Sequence, residues 1–148
     1  MTVSPEICLF VYGTLLTTAS HPMGKLLRDN SDLLGHGSIR ARLYIIDDPD
    51  EPGQNEYPGA VPSHDPSERV HGEVYSLLTP ELVLERFDDY EACSARWPEP
   101  HEFMRRNVEV AMADGGSLRA VTYLYTWDIT TARHIPSGRF TQAAPDVR

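Results

Sequence analysis

The stretch FDDYEACSA, residues 87–95, crowds the carboxylates Asp88, Asp89 and Glu91 together and follows them with Cys93. A carboxylate held in apolar surroundings has its pKa pushed up from about 4.3 toward neutrality, where it can take a proton as a general base and return it as an acid. A second stretch, LFVYGTLL at residues 9–16, is an apolar run that stops abruptly on Tyr12, Gly13 and Thr14. A glycine at such a bend lets successive backbone N–H groups converge on one anion. A plain strand end with a convenient turn accounts for the same local sequence.

Other candidates are weaker. Cys93 follows a predicted helix C-terminus, where the macrodipole disfavours a thiolate, so a simple free cysteine is the better reading. The 6 histidines, at positions 21, 36, 64, 71, 101 and 134, show no i, i+4 pair and no nearby cysteine pair, so no metal-ligand spacing emerges. GHGSIR has Arg40 where a dinucleotide loop needs its third glycine, and it precedes a strand. MGKLL lacks the remaining residues of a phosphate loop, and G-x-S-x-G is absent.

These side chains need elements to hold them. Residues 7–12 read as a strand buried on both faces. Residues 13–20 read as a loop, and 21–30 as a short helix with Ser20 as N-cap and Pro22 in the first turn. Residues 33–46 alternate partly, with Ile39, Ala41, Leu43 and Ile45 on one side, as a long or bent strand after breaks at Gly35 and Gly37. The acidic, proline-bearing segment 47–56 reads as a surface loop, and YPGAVPS as a short or edge strand. VHGEVYSL, residues 70–77, alternates as a strand. LTPELVLERFDDYEA, residues 78–92, is the clearest helix: Thr79 can cap it, Pro80 suits the first position and Glu81 favours the positive end. Val83, Phe87 and Tyr90 form its predicted buried stripe. Residues 102–113 and 118–127 are strand-like and joined by DGGS, a hairpin signal. The tail from Thr130 has little pattern, and fraying is expected after about residue 142.

The pattern is α+β, with about five to six strands and two or more helices, in a single domain over residues 1–148. So many strands in a short chain favour a closed or nearly closed sheet, because closure removes exposed edges.

Glu91 is the pivot. The ordinary reading of FDDYEA is a solvated acidic helix end. Yet carboxylates there face the negative end of the dipole, and Glu91 follows Tyr90 of the predicted stripe, so an inward-pointing Glu91 is the alternative.

Acidic residues exceed basic ones by 22 − 13 = 9. That balance argues against nucleic acid, which needs surplus Lys and Arg, and more weakly against an anionic membrane. The 2 cysteines make no disulfide framework. MTVSPE has no basic leader pattern and no apolar run is long enough to span a membrane, so a cytoplasmic setting is expected.

VYGTL ending a first strand, a central YPG, then GEVYSL, DDYE closing a helix and YLY in a late strand resemble, in that order, the γ-glutamylcyclotransferase-like (AIG2-like) family. IPSG at residues 135–138 and EFMRRNVEV at 102–110 fit its later segments, and the resemblance runs from about residue 8 to about 142. It implies a small mixed β-barrel with flanking helices and no metal or cofactor. It implies that Tyr12, Gly13, Thr14 and Leu15 bind the α-carboxylate end of a γ-glutamyl substrate through backbone N–H groups. It implies that Glu91 is the acid/base for cyclising a γ-glutamyl amide to 5-oxoproline with release of a free amine. Tyr57 and Tyr125 are candidates to line the pocket. The sequence departs from the family pattern at Ala92, where glycine commonly follows the glutamate, at Phe87 before Asp88, and in the longer acidic loop 47–56. The competing expectations are a non-catalytic module binding an amino-acid-like ligand, acyl chemistry at Cys93, and a regulatory role for the acidic loop. The leaving amine is not legible, and neither is the choice between monomer and homodimer.

Overall fold

The computed structural model describes residues 6–13, 22–50, 52–53, 56–91 and 93–140. Its elements run β1 (Cys8–Val11), α1 (Pro22–Asp29), β2 (Ser31–Asp47), β3 (Glu56–Pro62), β4 (Arg69–Leu77), α2 (Pro80–Tyr90), β5 (Phe103–Met112), β6 (Ser117–Tyr125) and β7 (Arg133–Ile135).

Strands β2, β4, β1, β6 and β5 pair in that order, and β5 returns to β2 through Gly37–Met112 and Ser38–Ala111, which closes a mixed barrel. The β1–β6 pairing is parallel and the others antiparallel. Strand β2 is long enough to leave the barrel: its first half pairs with β4, and its second half carries β3 and β7. Gly35 and Gly37 therefore lie inside β2 and do not precede it; the irregularity is a register shift between Leu33 and Gly35 that bends the strand. β7 was not legible, because a three-residue strand in RHI shows no periodicity. β3 is the expected edge strand, with Pro58 and Pro62 placed where fewer ladder bonds are needed.

Alternation along β1 divides the core. Cys8, Phe10 and Tyr12 point with Ile39, Leu43, Val70, Val74, Val110 and Leu124 into the barrel. Leu9 and Val11 point with Tyr75, Leu77, Phe103, Tyr123 and Tyr125 to the outer face, which Leu27 of α1 and Val83 and Phe87 of α2 cover. A strand buried on both faces reads as an unbroken apolar run, as CLFV does.

Helix α2 begins at Pro80 as its sequence predicts, but Thr79 makes no side-chain cap. Its hydroxyl lies 3.2 Å from Asn30 Oδ1, and its carbonyl accepts from Val83 N at 3.1 Å. Tyr90 is half exposed and does not belong to the buried stripe. At about 100° per residue, Phe87 and Leu84 lie to one side of Val83 and Tyr90 to the other. The core touches the Phe87–Leu84 side. Ser20 and His21, ahead of α1, and the tail from residue 141 lie outside the described residues.

Candidate active site

Glu91 is the C-cap of α2, with φ −86° and ψ 9°, and its N–H donates to Phe87 O at 2.8 Å. It falls on the arc between Phe87 and Leu84, which faces the core. The sequence argument inferred an inward Glu91 from Tyr90, but Tyr90 turns outward, and the inward neighbours of Glu91 are Phe87 and Leu84. Burial, and after it the nearby Glu102 carboxylate, push the Glu91 pKa up to about 8. The Glu91 charge also acts on Tyr12, which places the carboxyl toward the end of β1.

The helix end that carries it is pinned from below. Asp88 accepts from the Tyr123 hydroxyl at 2.7 Å and pairs with Arg105 Nη1 at 3.2 Å. Asp89 is held by Arg96 and by the Ser94 hydroxyl at 3.1 Å. Cys93 N donates to Asp88 O at 2.9 Å. Burial and the acidic neighbours Asp88 and Glu91 push the Cys93 thiol up to about 11. A thiol so far from ionisation at neutral pH is a poor nucleophile, so the geometry argues against acyl chemistry at Cys93.

Tyr12, directly after β1, is a fixed strut. Its hydroxyl donates to Tyr123 O at 2.6 Å and accepts from Ala60 N at 3.1 Å. What Tyr12 and Gly13 can offer a ligand is therefore main chain. Gly13 does not occupy the left-handed region; a Cβ there would lie 3.2 Å from Pro58 Cγ, a tight approach. Thr14, Leu15 and Ala92 lie outside the described residues.

The YPG segment of β3 completes the surroundings. Pro58 packs on Gly13, and a Cβ on Gly59 would lie 3.0 Å from both Cβ and Cγ of Tyr125. The Tyr57 hydroxyl donates to Glu102, a residue the sequence reading did not single out. Tyr57 and Tyr125 each pack a ring on Phe103, with centroids 6.1 and 5.3 Å apart. Burial and the Glu102 carboxylate raise the Tyr57 pKa, and burial, Glu102 and Asp128 push Tyr125 up to about 12. Both phenols keep their protons at neutral pH and remain donors. Glu102 is itself raised by burial, although the Tyr57 bond opposes that, and Asp48 and Asp50 add to the rise. Sequence offered only a weak sign of Glu102, a carboxylate directly before a strand that opens on Phe103.

Thus Tyr57 and Tyr125 pack on Phe103 with Glu102 bonded to Tyr57, and the charges of Glu91 and Glu102 act on one another's surroundings as far as Tyr12. Among the described residues, no three His, Cys, Asp or Glu side chains converge as a metal site, and no helix is long and apolar enough to cross a membrane.

A family model described as gamma-glutamyl cyclotransferase, AIG2-like, matches residues 9–142. No curated protein sequence matches the chain. Solved structures share the fold. YkqA from Bacillus subtilis is 21% identical, with a TM-score of 0.61 over 92% of this chain, which spans 40% of YkqA. An AIG2-like protein from Mus musculus is 21% identical, with a TM-score of 0.58 over 94% of this chain and 97% of that one. A structure titled gamma-glutamyl cyclotransferase is 18% identical, with a TM-score of 0.58 over 82% of this chain and 68% of that one.

Proposed function

The chain belongs to the gamma-glutamyl cyclotransferase, AIG2-like family, and from that premise we propose that it cyclises a γ-glutamyl amide to 5-oxoproline and releases a free amine, with Glu91 as general acid/base. The observation that carries this reading is the desolvated Glu91 carboxyl, with a pKa of about 8, on the Tyr12 side of α2.

The reaction is an intramolecular aminolysis. The α-ammonium of the substrate gives a proton to the Glu91 carboxylate. The freed amine attacks the γ-carbonyl carbon and a C–N bond forms. The tetrahedral oxyanion collapses and the original amide C–N bond breaks as Glu91 returns its proton to the departing nitrogen, while the ring nitrogen sheds its second proton, which leaves with the amine as its ammonium. Atoms balance with no water and no cofactor consumed. Because both reacting groups share one molecule, a held conformation supplies most of the required proximity. A base whose pKa lies near the working pH serves both proton transfers.

Backbone N–H groups of Tyr12, Gly13, Thr14 and Leu15 hold the α-carboxylate, which fixes the amine beside Glu91. The fixed Tyr12 side chain keeps the Tyr12 main chain in place. Tyr125, a phenol that stays protonated, is the donor placed to meet the developing γ-oxyanion, and Tyr57 closes the same side of the pocket.

The test is a panel of γ-glutamyl amides incubated with the protein and with Glu91→Gln, reading 5-oxoproline. Turnover by the wild type, reduced on the order of a hundredfold or more in a folded Glu91→Gln variant, is expected. Equal turnover by the variant removes Glu91 as the acid/base. Ligand binding without 5-oxoproline would make the protein a binding module.

A further inference from the structure

We propose that Thr122 is a positioning residue: its buried hydroxyl, with that of Tyr12, stops the β1–β6 ladder after one pair and so leaves the Tyr12 N–H for the substrate's α-carboxylate. This rests on the cyclisation proposed above.

Thr122 is fully buried, two residues from Ala120 and from Leu124 on the inward face of β6. A valine has nearly the same shape, so the hydroxyl itself needs an account, because a buried polar group is expected to carry a hydrogen bond. It donates to Phe10 O at 2.9 Å.

The strand register shows what that bond displaces. Leu77 N donates to Ile7 O at 2.9 Å, and β1 then pairs with β4 from Cys8–Ser76 to Val11–Glu73. Main-chain groups alternate in direction along a strand, so Ile7, Leu9 and Val11 turn theirs to β4, while Cys8, Phe10 and Tyr12 turn theirs to β6. On the β6 side the parallel ladder has a single pair, Leu9–Val121. The next pair, Val11–Tyr123, would need Tyr123 N–H on Phe10 O and Tyr12 N–H on Tyr123 O. Side chains take both acceptors: the Thr122 hydroxyl donates to Phe10 O, and the Tyr12 hydroxyl donates to Tyr123 O at 2.6 Å. The Tyr12 hydroxyl also accepts from Ala60 N at 3.1 Å, which ties β3 to the same end of the barrel. Among the described residues, the Tyr12 N–H has no main-chain acceptor. It is released at the carboxyl end of β1, directly before Gly13, while the two hydroxyls brace β1 against β6. A held N–H with no partner suits an anion, and its bond to a carboxylate is stronger than the neutral ladder bond it forgoes.

The experiment compares wild type, Thr122→Val and Thr122→Ser on a γ-glutamyl amide and on the matching 4-aminobutanoyl amide, which lacks the α-carboxylate. Valine leaves Phe10 O to Tyr123 N–H, so the ladder closes by one rung and draws Tyr12 toward β6. KM for the γ-glutamyl amide is expected to rise about tenfold, with kcat and its pH profile retained and the 4-aminobutanoyl amide unaffected. Thr122→Ser keeps the donor and should restore the wild-type KM. Tyr12→Phe, which releases Tyr123 O, should raise the same KM and carries the comparison if the valine variant does not fold. Val110→Ala, a change at a buried barrel position on β5, should lower Tm and leave both KM values unchanged. An unchanged KM in the folded valine variant, an equal penalty on both amides, or a serine variant no better than valine overturns the inference. Calorimetric titration with L-glutamine and 4-aminobutanamide makes the same comparison without turnover and separates the two proposals. No 5-oxoproline from wild type, with glutamine binding alone weakened about tenfold in Thr122→Val, overturns the cyclisation and supports the positioning role. Equal glutamine binding by wild type and the valine variant, or none by wild type, overturns the positioning role.

Discussion

Replacing Glu91 by glutamine should stabilise the protein at alkaline pH in the same variant that loses the base. Folding raises this carboxyl from 4.5 to about 8. The folded protein therefore keeps a proton that the unfolded chain has already released. Between those values the folded state binds more protons than the unfolded one, so wild-type stability falls as pH rises, and the loss is complete above the folded pKa. At about 1.36 kcal/mol per unit, the ceiling is about 5 kcal/mol. Glu91 keeps part of its surface in solvent, and water entry discounts that ceiling to about 2 kcal/mol. Glutamine has the shape of the protonated acid and no charge to desolvate. Scanning calorimetry of both proteins should give similar Tm values at about pH 4. At about pH 9 the variant should lie about 4–8 °C higher, taking about 2–4 °C per kcal/mol for a domain of this size. The gap should open across the window from 4.5 to about 8 and stay constant above it. A gap that does not change with pH would mean that Glu91 is not a desolvated proton carrier, and the acid/base assignment would fall with it.

Two further substitutions test the surroundings. Gly59→Ala puts a Cβ at 3.0 Å from Tyr125 and 3.1 Å from Ile46 Cγ1; a loss of about 1–3 kcal/mol in urea unfolding is expected, with turnover reduced through the displaced Tyr125, and an unchanged midpoint would refute the close approach. Cys93→Ser should leave turnover unchanged, because a thiol pushed up to about 11 supplies almost no thiolate at neutral pH; loss of turnover in that variant would return Cys93 to the chemistry.

The barrel was legible where residue pattern and burial agree. CLFV, buried on both faces, could only be an interior strand, and DGGS could only turn between β5 and β6, where Gly115 adopts φ 101°. Pro80 and Glu81 placed the start of α2 to the residue. Failures came where a neighbour decides. Thr79 was open to capping in sequence, but Asn30 from the end of α1 engages its hydroxyl. β7 exists because the second half of β2 offers an edge, and RHI says nothing of that edge. Gly13 was read as a bend for backbone conformation, whereas its φ is not left-handed and the tight neighbour of its Cα is Pro58 from another strand. Glu102 was missed for the same reason: its partner, Tyr57, is 45 residues away.

The three carboxylates that close α2 differ in a way that favours Glu91 as the proposed proton carrier. All three sit at the negative end of the helix dipole, where each needs compensation. Asp88 receives Arg105 and the Tyr123 hydroxyl, and Asp89 receives Arg96, whose pairing holds its pKa low. Both carboxylates are engaged in ion pairs, which leaves them ill placed to pass a proton. Glu91 has no ion pair among the described residues and meets another acid, Glu102. Its compensation is protonation itself. One residue earlier, at Tyr90, the side chain is half exposed. The pinned aspartates thus hold the helix end that presents Glu91 to the core, and the desolvation they escape is what tunes it.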